Sequence, residues 1–544
     1  MAIPLDYVVV TCAVLAIAAR SLYPIFRPFL LRFWTPIRHL AGPPSVSFVW
    51  GNTKQLENDM AVLLSSWIAQ YGKVFKVNAE FGMRRLFLAD PRAVGHVLNY
   101  SDIYQKPEMT TRALMHMVGK GVLTVEGDAH KKHRRSLNPA FGLAQLREMT
   151  TIFTDKSIQL RDVLLAKIGD NDRTDLATTE LDIVPLLHKC TLDIIGMAGF
   201  EYDFGVLTHS DRPNELNDAM RKMFSTRFSF LDIVHNLLPT TRIIPSKRDK
   251  VVQHARSVMD AVGYKLIARM KADVLASAAG GSVQKKDIQG KSLLSLLVKA
   301  NMASDLPESQ RLSDEEILAQ CPTFIIAGHE TTSTSVTWIT YALSSHPEVQ
   351  DKLRAEILGS DFGDRPSMAQ LSELKYLDAV VRETLRVYPP VPLMTRAVTE
   401  SGVIPTEETW VDAHGVQQSG VRVTAGDTVS ISIMAIHHSK DIWGEDADVF
   451  RPERWLDGPP AGASALTGIW ANSLTFSGGP RSCIGYLFSV VETKALVYSL
   501  IRSLRFSLAV PLDDIAPKSR GIMRPFRVSE PEAGAQLLVK ISAV

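Results

Sequence analysis

The stretch Phe476-Ser-Gly-Gly-Pro-Arg-Ser-Cys-Ile-Gly485 gathers the residue types for thiolate chemistry in one place. Gly478 and Gly479 lack a Cβ, so the backbone there can turn sharply and approach a partner closely. Ile484, Leu487, Phe488, Val491, Ala495 and Tyr498 follow as one apolar stripe at helical spacing, which places Cys483 at a helix N-terminus. Free N–H groups and the helix dipole favour a thiolate at such a position, and Arg481 adds positive charge. A thiolate held this way suits a metal ligand that pushes electron density onto iron. The competing reading is a buried core thiol, the ordinary state of a single cysteine.

Protons are the second requirement of such chemistry. Ser313-Asp-Glu-Glu316 is a capping box, and the helix it opens is expected to run about 30 residues, to just before Pro347. Within it lies Ala327-Gly-His-Glu-Thr-Thr332, where Gly328 leaves space on the helix face and Glu330 and Thr331 set a carboxylate and a hydroxyl beside that space. A helix-interior threonine bonding the preceding turn is the other reading of Thr331. His329-Glu330 also begins a zinc-protease-like HExxH, but position 333 is Ser, so that pattern fails. Pro322 is expected to kink the helix one turn before the gap.

Two further segments carry charge. In Glu383-Thr-Leu-Arg386 the acid and base share one side of a short helix, with Leu377, Val380, Val381 and Leu385 on the other. Alone, such a pair is usually a solvated ion pair worth little. Gly127-Asp-Ala-His130-Lys-Lys-His133-Arg134-Arg135 is a basic helix start, by default a solvated charged face.

The cysteine loop, the Ala327–Thr332 segment, Glu383-Thr-Leu-Arg386, Phe450-Arg-Pro-Glu-Arg454 and the basic helix occur in one order, and together they resemble the cytochromes P450, the haem-thiolate monooxygenases. The resemblance covers roughly residues 40 to 530 and looks most like fungal microsomal members, which tailor secondary metabolites or oxidise foreign lipophiles. It implies haem b as cofactor, with Cys483 the axial iron ligand in a loop begun by Phe476. Glu330 and Thr331 would deliver protons to bound dioxygen. Glu383, Arg386 and Arg454 would form a buried structural triad. Arg134, Arg396 and Arg481 would hold the haem propionates, with His130 standing where the family has Trp.

No GxGxxG lies between a strand and a helix and no Walker sequence occurs, so electrons must come from another protein. The resemblance implies an NADPH-dependent reductase, or cytochrome b5, with Lys131, Lys132 and Arg135 as docking charges. The implied reaction inserts one atom of O2 into a lipophilic small molecule. Two other functions stay open on these residues: a haem-thiolate isomerase or dehydratase working without O2, and a non-catalytic haem sensor. Apolar residues at Met109–Val118, Phe224–Leu238, Phe324 with Ala327, Val391–Thr395 and Ile522–Met523 are expected to line the pocket.

The elements that must position these groups are mostly helical. The pattern from Met60 to Leu358 recurs three and four residues apart, Ala276–Lys291 reads as a surface loop, and short alternating runs such as Gly420–Thr424 and Thr428–Ile433 read as strands. The expected fold is mainly α with a smaller β-rich part. Of 544 residues, 46% are hydrophobic and 22% charged, enough for a large core. The 60 basic against 58 acidic residues argue against nucleic-acid binding. The four cysteines Cys12, Cys190, Cys321 and Cys483 are too scattered for a disulfide framework or a cysteine zinc site. Tyr7–Ala19 is uncharged, and Arg20, Arg27, Arg32 and Arg38 follow it. This pattern predicts an N-terminal membrane anchor with its basic flank over 1–35, a Pro/Gly hinge over 36–50 and a cytosolic catalytic domain over 51–544. The expected location is the endoplasmic reticulum membrane, with a single transmembrane helix.

Overall fold

The computed structural model describes residues 34–544 apart from 170–177, 209–213, 227–228, 238–240, 242, 278–291, 303–306 and 413. Two compact units divide the chain: Met1–Met109 with Phe228–Ser246 and Met394–Ser432, and Thr110–Arg227 with Lys247–Leu393 and Ile433–Val544.

The first unit is built on a five-stranded sheet in the order Val74–Asn78, Arg84–Leu88, Thr428–Ser432, Leu393–Val398, Tyr104–Gln105. Phe75 and Phe87 are cross-strand partners whose rings stack 4.6 Å apart, a pairing that fixes register. Asp90 caps the Pro91–Asn99 helix and also accepts the Glu407 N–H, which ties the helix to the hairpin of Gly402–Val411 and Gln417–Val423. Ile37 and Leu40 are buried, and the Lys76 N–H donates to Ala41 O at 2.9 Å, so this proline-bearing segment lies along the sheet edge.

The second unit is helical. Its centre is the helix Gln320–Ser345, buried along nearly its whole length and packed on Val184–Phe200 and Tyr486–Ser503. A buried helix this rich in Ser and Thr must satisfy its hydroxyls internally. Thr323, Thr334, Thr337 and Thr340 each donate to the carbonyl four residues back. The Tyr486–Ser503 helix is apolar on the expected stripe, but Glu492, Thr493 and Lys494 are buried too, so it is enclosed all round. Four short strands interrupt the region expected to be helical: Val74–Asn78, Arg84–Leu88, Tyr104–Gln105 and Thr178–Asp182. Arg84–Leu88 pairs with Thr428–Ser432, and Thr178–Asp182 with Leu538–Ala543. Those partners lie far along the chain, whereas Val74–Asn78 pairs with the neighbouring Arg84–Leu88, a local hairpin inside the stretch expected to be helical. The strands expected near Gly420 and Thr428 are present. The expected loop over 276–291 lies outside the described residues from 278 onward.

The expected membrane anchor is corrected. Among the described residues no helix is long and apolar enough to cross a membrane. The segment that carried the expectation, up to residue 33, lies outside the described residues. The fold is therefore mainly α with a smaller β region and no spanning helix among the described residues. The transmembrane helix and the single-pass placement in the endoplasmic reticulum membrane are withdrawn with it.

One buried ionic cluster organises the second unit. Glu383 and Arg386, on the helix Lys375–Val387, are both fully buried rather than solvated. Arg386 donates to both Glu383 oxygens, at 2.9 and 2.8 Å, and Arg454 Nε adds a third contact at 3.3 Å. Trp455 Nε1 and the Arg451 N–H complete the carboxylate's shell, each at 2.9 Å. Arg386 also donates to the carbonyls of His437, Ala447 and Val449. Burial alone would raise the Glu383 carboxyl, but Arg386, the Arg451 N–H and Arg454 together outweigh it and hold the pKa below the ordinary value. His437 is pinned between Arg386 O, which must accept from Nδ1–H, and the Leu474 N–H, which donates to Nε2. Its ring is thus the neutral Nδ1–H tautomer, and burial, then Arg386 and His438, lower its pKa from 6.5 to about 3.

Because the folded pKa of His437 lies below the unfolded one, acid gives the unfolded chain a proton the folded chain refuses. Its contribution is intact above pH 6.5 and lost progressively between pH 6.5 and about 3. Between pH 7 and 5 this one group should remove about 2 kcal/mol of stability. Urea unfolding at the two pH values, compared with a His437→Gln protein, measures it: the variant should lose correspondingly less on acidification.

Candidate active site

The cysteine loop grows out of the strand Ser473–Gly478. Ser477 (φ 62°) and Gly479 (φ 66°) both sit in the left-handed region; glycine takes it freely, serine does not. Ser477 Oγ is buried and has no hydrogen-bond partner among the described residues. The chain then folds back on itself. The Ser482 N–H donates to Gly479 O at 3.1 Å and the Cys483 N–H to Phe476 O at 3.0 Å. The helix begins at Tyr486, two residues later than the apolar stripe implied, with Gly485 as its cap. Cys483 is accessible to solvent, yet burial pushes its thiol pKa up, with the Gly485 N–H and the Arg134 cation working against that rise. A thiol that is both accessible and deep stands on the wall of an internal space.

Two arginines flank this loop. Arg134 Nη1 donates to Ser482 O, and its own pKa is lowered by burial and partly restored by Cys483. Arg481 donates to Val125 O at 2.8 Å and is ion-paired with Glu126. On the same helix as Arg134, His130 and His133 are buried. His133 and Lys132 contact the two Glu316 oxygens at 3.2 and 3.0 Å. Lys132 is therefore a tether between helices, and Lys131 pairs with Asp128, so neither is a bare docking charge. Arg396 lies in the other compact unit, on the strand Leu393–Val398. It is buried and donates only to Thr395 O and, more weakly, to Met394 Sδ, with no carboxylate partner among the described residues.

The long helix starts as its capping box requires, with Ser313 and Glu316 bonded reciprocally. It breaks at Ala319, between the pieces Asp314–Leu318 and Gln320–Ser345. Pro322 has no N–H for the Leu318 carbonyl, which accounts for the interruption. Beyond the break the helix is enclosed until Ala327, which is exposed, and Thr331, which is half-buried. Four residues apart, they share one face, and that face opens on a space. Thr331 Oγ1 donates to Ala327 O at 2.8 Å, leaving its lone pairs free to accept. The gap attributed to Gly328 is not a gap: a Cβ there would meet Ile195 Cδ1 at 2.9 Å, so the residue is small to let the Val184–Phe200 helix approach. The opening belongs to Ala327.

Glu330 points elsewhere. Its Oε2 is ion-paired with Arg524, while Oε1 faces His188 Nδ1 at 3.4 Å and His329 Nε2 at 3.8 Å. Burial would raise this carboxyl, but His188, Arg524 and His329 hold it at about 2, and only Arg524 is charged whatever the pH. Glu330 is thus an ion at neutral pH. Sequence reading missed His188 and Arg524, since nothing local marks a partner 194 residues away. It also missed Glu492, fully buried with neither carboxyl oxygen hydrogen-bonded in good geometry among the described residues. Burial raises that carboxyl well above the ordinary value and outweighs the nearby Thr332 hydroxyl, so its surroundings favour the neutral acid.

The donor set fits a flat, dianionic, thiolate-ligated group. An accessible thiol, an open helix face within the same unit, and Arg134 and Arg481 beside the cysteine are what such a group needs. Comparison with known proteins agrees. A family model described as Cytochrome P450 matches residues 41–528. The chain is 45% identical over 511 residues to Cytochrome P450 monooxygenase 205 of Postia placenta, covering 92% of each chain. It is 43% identical over 526 residues to Cytochrome P450 monooxygenase 128 of the same fungus, covering 95% of each. Cytochrome P450 monooxygenase claQ of Ampulloclitocybe clavipes is 33% identical over 525 residues, 94% of this chain and 93% of that protein.

Arg524→Gln should strand the Glu330 carboxylate between two imidazoles. Its pKa should climb from about 2 to above about 5. Infrared spectroscopy at neutral to mildly acidic pH should then show a protonated-carboxyl band that titrates in the variant and vanishes when Glu330→Gln is added.

Proposed function

Because the chain belongs to the cytochrome P450 family, haem-dependent monooxygenases that use O2 and electrons from an external reductase, we propose that Cys483 would bind the iron of a haem b. The accessibility of a thiol embedded this deeply carries the reading. When bound, the haem supplies reductive activation of O2 and transfer of one oxygen atom. The Gly485 N–H and the Arg134 cation favour the thiolate that such a ligand must be. By the family resemblance Arg134, Arg396 and Arg481 would hold the propionates, with His130 beside Arg134 on one helix. Glu383, Arg386 and Arg454 act structurally.

Proton handling falls to the long helix. Thr331 accepts a hydrogen bond on the open face while its own hydrogen stays on Ala327 O. Glu330 holds no proton at neutral pH, so it must first accept one. Loosening of the Arg524 contact raises its pKa and lets it carry that proton inward. The substrate is a lipophilic small molecule: Phe324 and Met523 are buried, and Phe224 and Ile522 half-buried, in the unit that holds Cys483. The electron donor is an NADPH-dependent reductase, with cytochrome b5 as an alternative.

Cys483→Ala should abolish the thiolate-type carbonyl spectrum of the reduced protein; a variant that kept it would overturn the ligand assignment. Thr331→Ala should lower product formed per NADPH consumed by on the order of 10²-fold, with Thr331→Ser largely restoring it. Product and cofactor assays on the reconstituted system read this directly.

A further inference from the structure

Three ligand-type atoms converge at Glu330 in a way that proton carriage does not require. Arg524 takes Oε2, and among the described residues no hydrogen bond reaches Oε1. His329 Nδ1 lies 3.1 Å from Ile325 O. A carbonyl can only accept, so Nδ1 carries the proton, and the neutral ring turns the Nε2 lone pair on Glu330 Oε1, 3.8 Å away. His188 Nδ1 faces the same oxygen at 3.4 Å. The His329 Nε2 lone pair and the carboxylate oxygen are both acceptors, and in a buried site they repel unless a cation stands between them. No hydrogen bond from His188 Nδ1 reaches that oxygen among the described residues.

We propose that His188 Nδ1, His329 Nε2 and Glu330 Oε1 form a divalent transition-metal site, best suited to Zn2+. Two imidazoles and one carboxylate are a borderline donor set that selects zinc over calcium or magnesium. With zinc–ligand bonds of about 2.0–2.1 Å, tetrahedral ligand atoms lie about 3.3 Å apart. The two contacts to Oε1, at 3.4 and 3.8 Å, are close to that spacing, and all three atoms lie within 4.8 Å of one another. The surroundings are those of a supported site. Ile325 O fixes the His329 tautomer, and Arg524 orients the carboxylate from its far oxygen. The His188 side chain is 22% accessible, which gives an ion a way in. Three protein ligands and a neighbouring guanidinium set the affinity at micromolar rather than nanomolar.

A bound zinc would remove the Glu330 carboxylate from proton traffic and inhibit turnover reversibly. That consequence rests on the proton role assigned above; the site itself does not. The test uses the haem-loaded full chain. Calorimetric titration with zinc chloride should show one micromolar site, weakened about tenfold or more in His188→Gln and again in Glu330→Gln. Zinc-edge X-ray absorption should report imidazole and oxygen ligands. His188 is partly accessible, so its variant should keep its fold, and retention of the wild-type haem spectrum verifies this. Equal affinity in both variants, no stoichiometric binding, or a sulfur ligand at the zinc edge would overturn the proposal. Zinc bound as described with turnover undiminished upholds the site and counts against Glu330 as the proton carrier.

Discussion

A carboxylate with no access to water must be compensated completely, and in this protein Glu383 meets that condition by drawing distant backbone around itself. Its five hydrogen bonds come from Arg386, Arg454, Trp455 and the Arg451 N–H. Removing any one cation would leave charge uncompensated in a low-dielectric interior, which costs about 3–5 kcal/mol for a buried pair. The cluster also reaches the cysteine. Arg386 binds His437 O and is bound through its own carbonyl by the His437 ring. That ring accepts the Leu474 N–H, and two residues on, Phe476 O receives the Cys483 N–H. A short sequence of bonds thus runs from the buried Glu383 cluster to the backbone N–H of Cys483, in a loop that also contains the left-handed Ser477.

The second unit treats its other buried acids in contrasting ways. Glu330 keeps its charge because a guanidinium meets it, whereas Glu492 has no cation partner among the described residues and burial raises its pKa well above the ordinary value. Both stand on helices that meet near Thr332, whose hydroxyl lies 3.1 Å from Ser489 Oγ. Burial is nearly the same for the two; the partner decides the protonation state.

What could be read from the sequence follows from what is local. The cysteine loop, the capping box at Ser313 and the break before Pro322 are determined by residues within a few positions, and the structure contains each. The pair Glu383 and Arg386 was visible as a pair, but not its burial, because the groups that enclose it arrive from residues 437 to 455. Gly328 was read as space when the space is filled by Ile195, a residue local pattern cannot connect to it. Two of the short strands inside the stretch expected to be helical are fixed by partners hundreds of positions away. The partners of Glu330 are the sharpest case: the acid was recognisable, whereas its ionisation depends on a hairpin near the chain's end.

That hairpin, Ile515–Ser519 with Met523–Arg527, has a consequence for biosynthesis. Arg524 follows Glu330 by 194 residues. At about 5–20 residues per second, the ribosome delivers the neutralising cation roughly 10–40 seconds after the acid. Through that interval the central helix carries an uncompensated charge that resists desolvation. Nascent chains stopped short of the hairpin are left with their interior helix wet and open to chaperones and proteases until this late ribbon seals it.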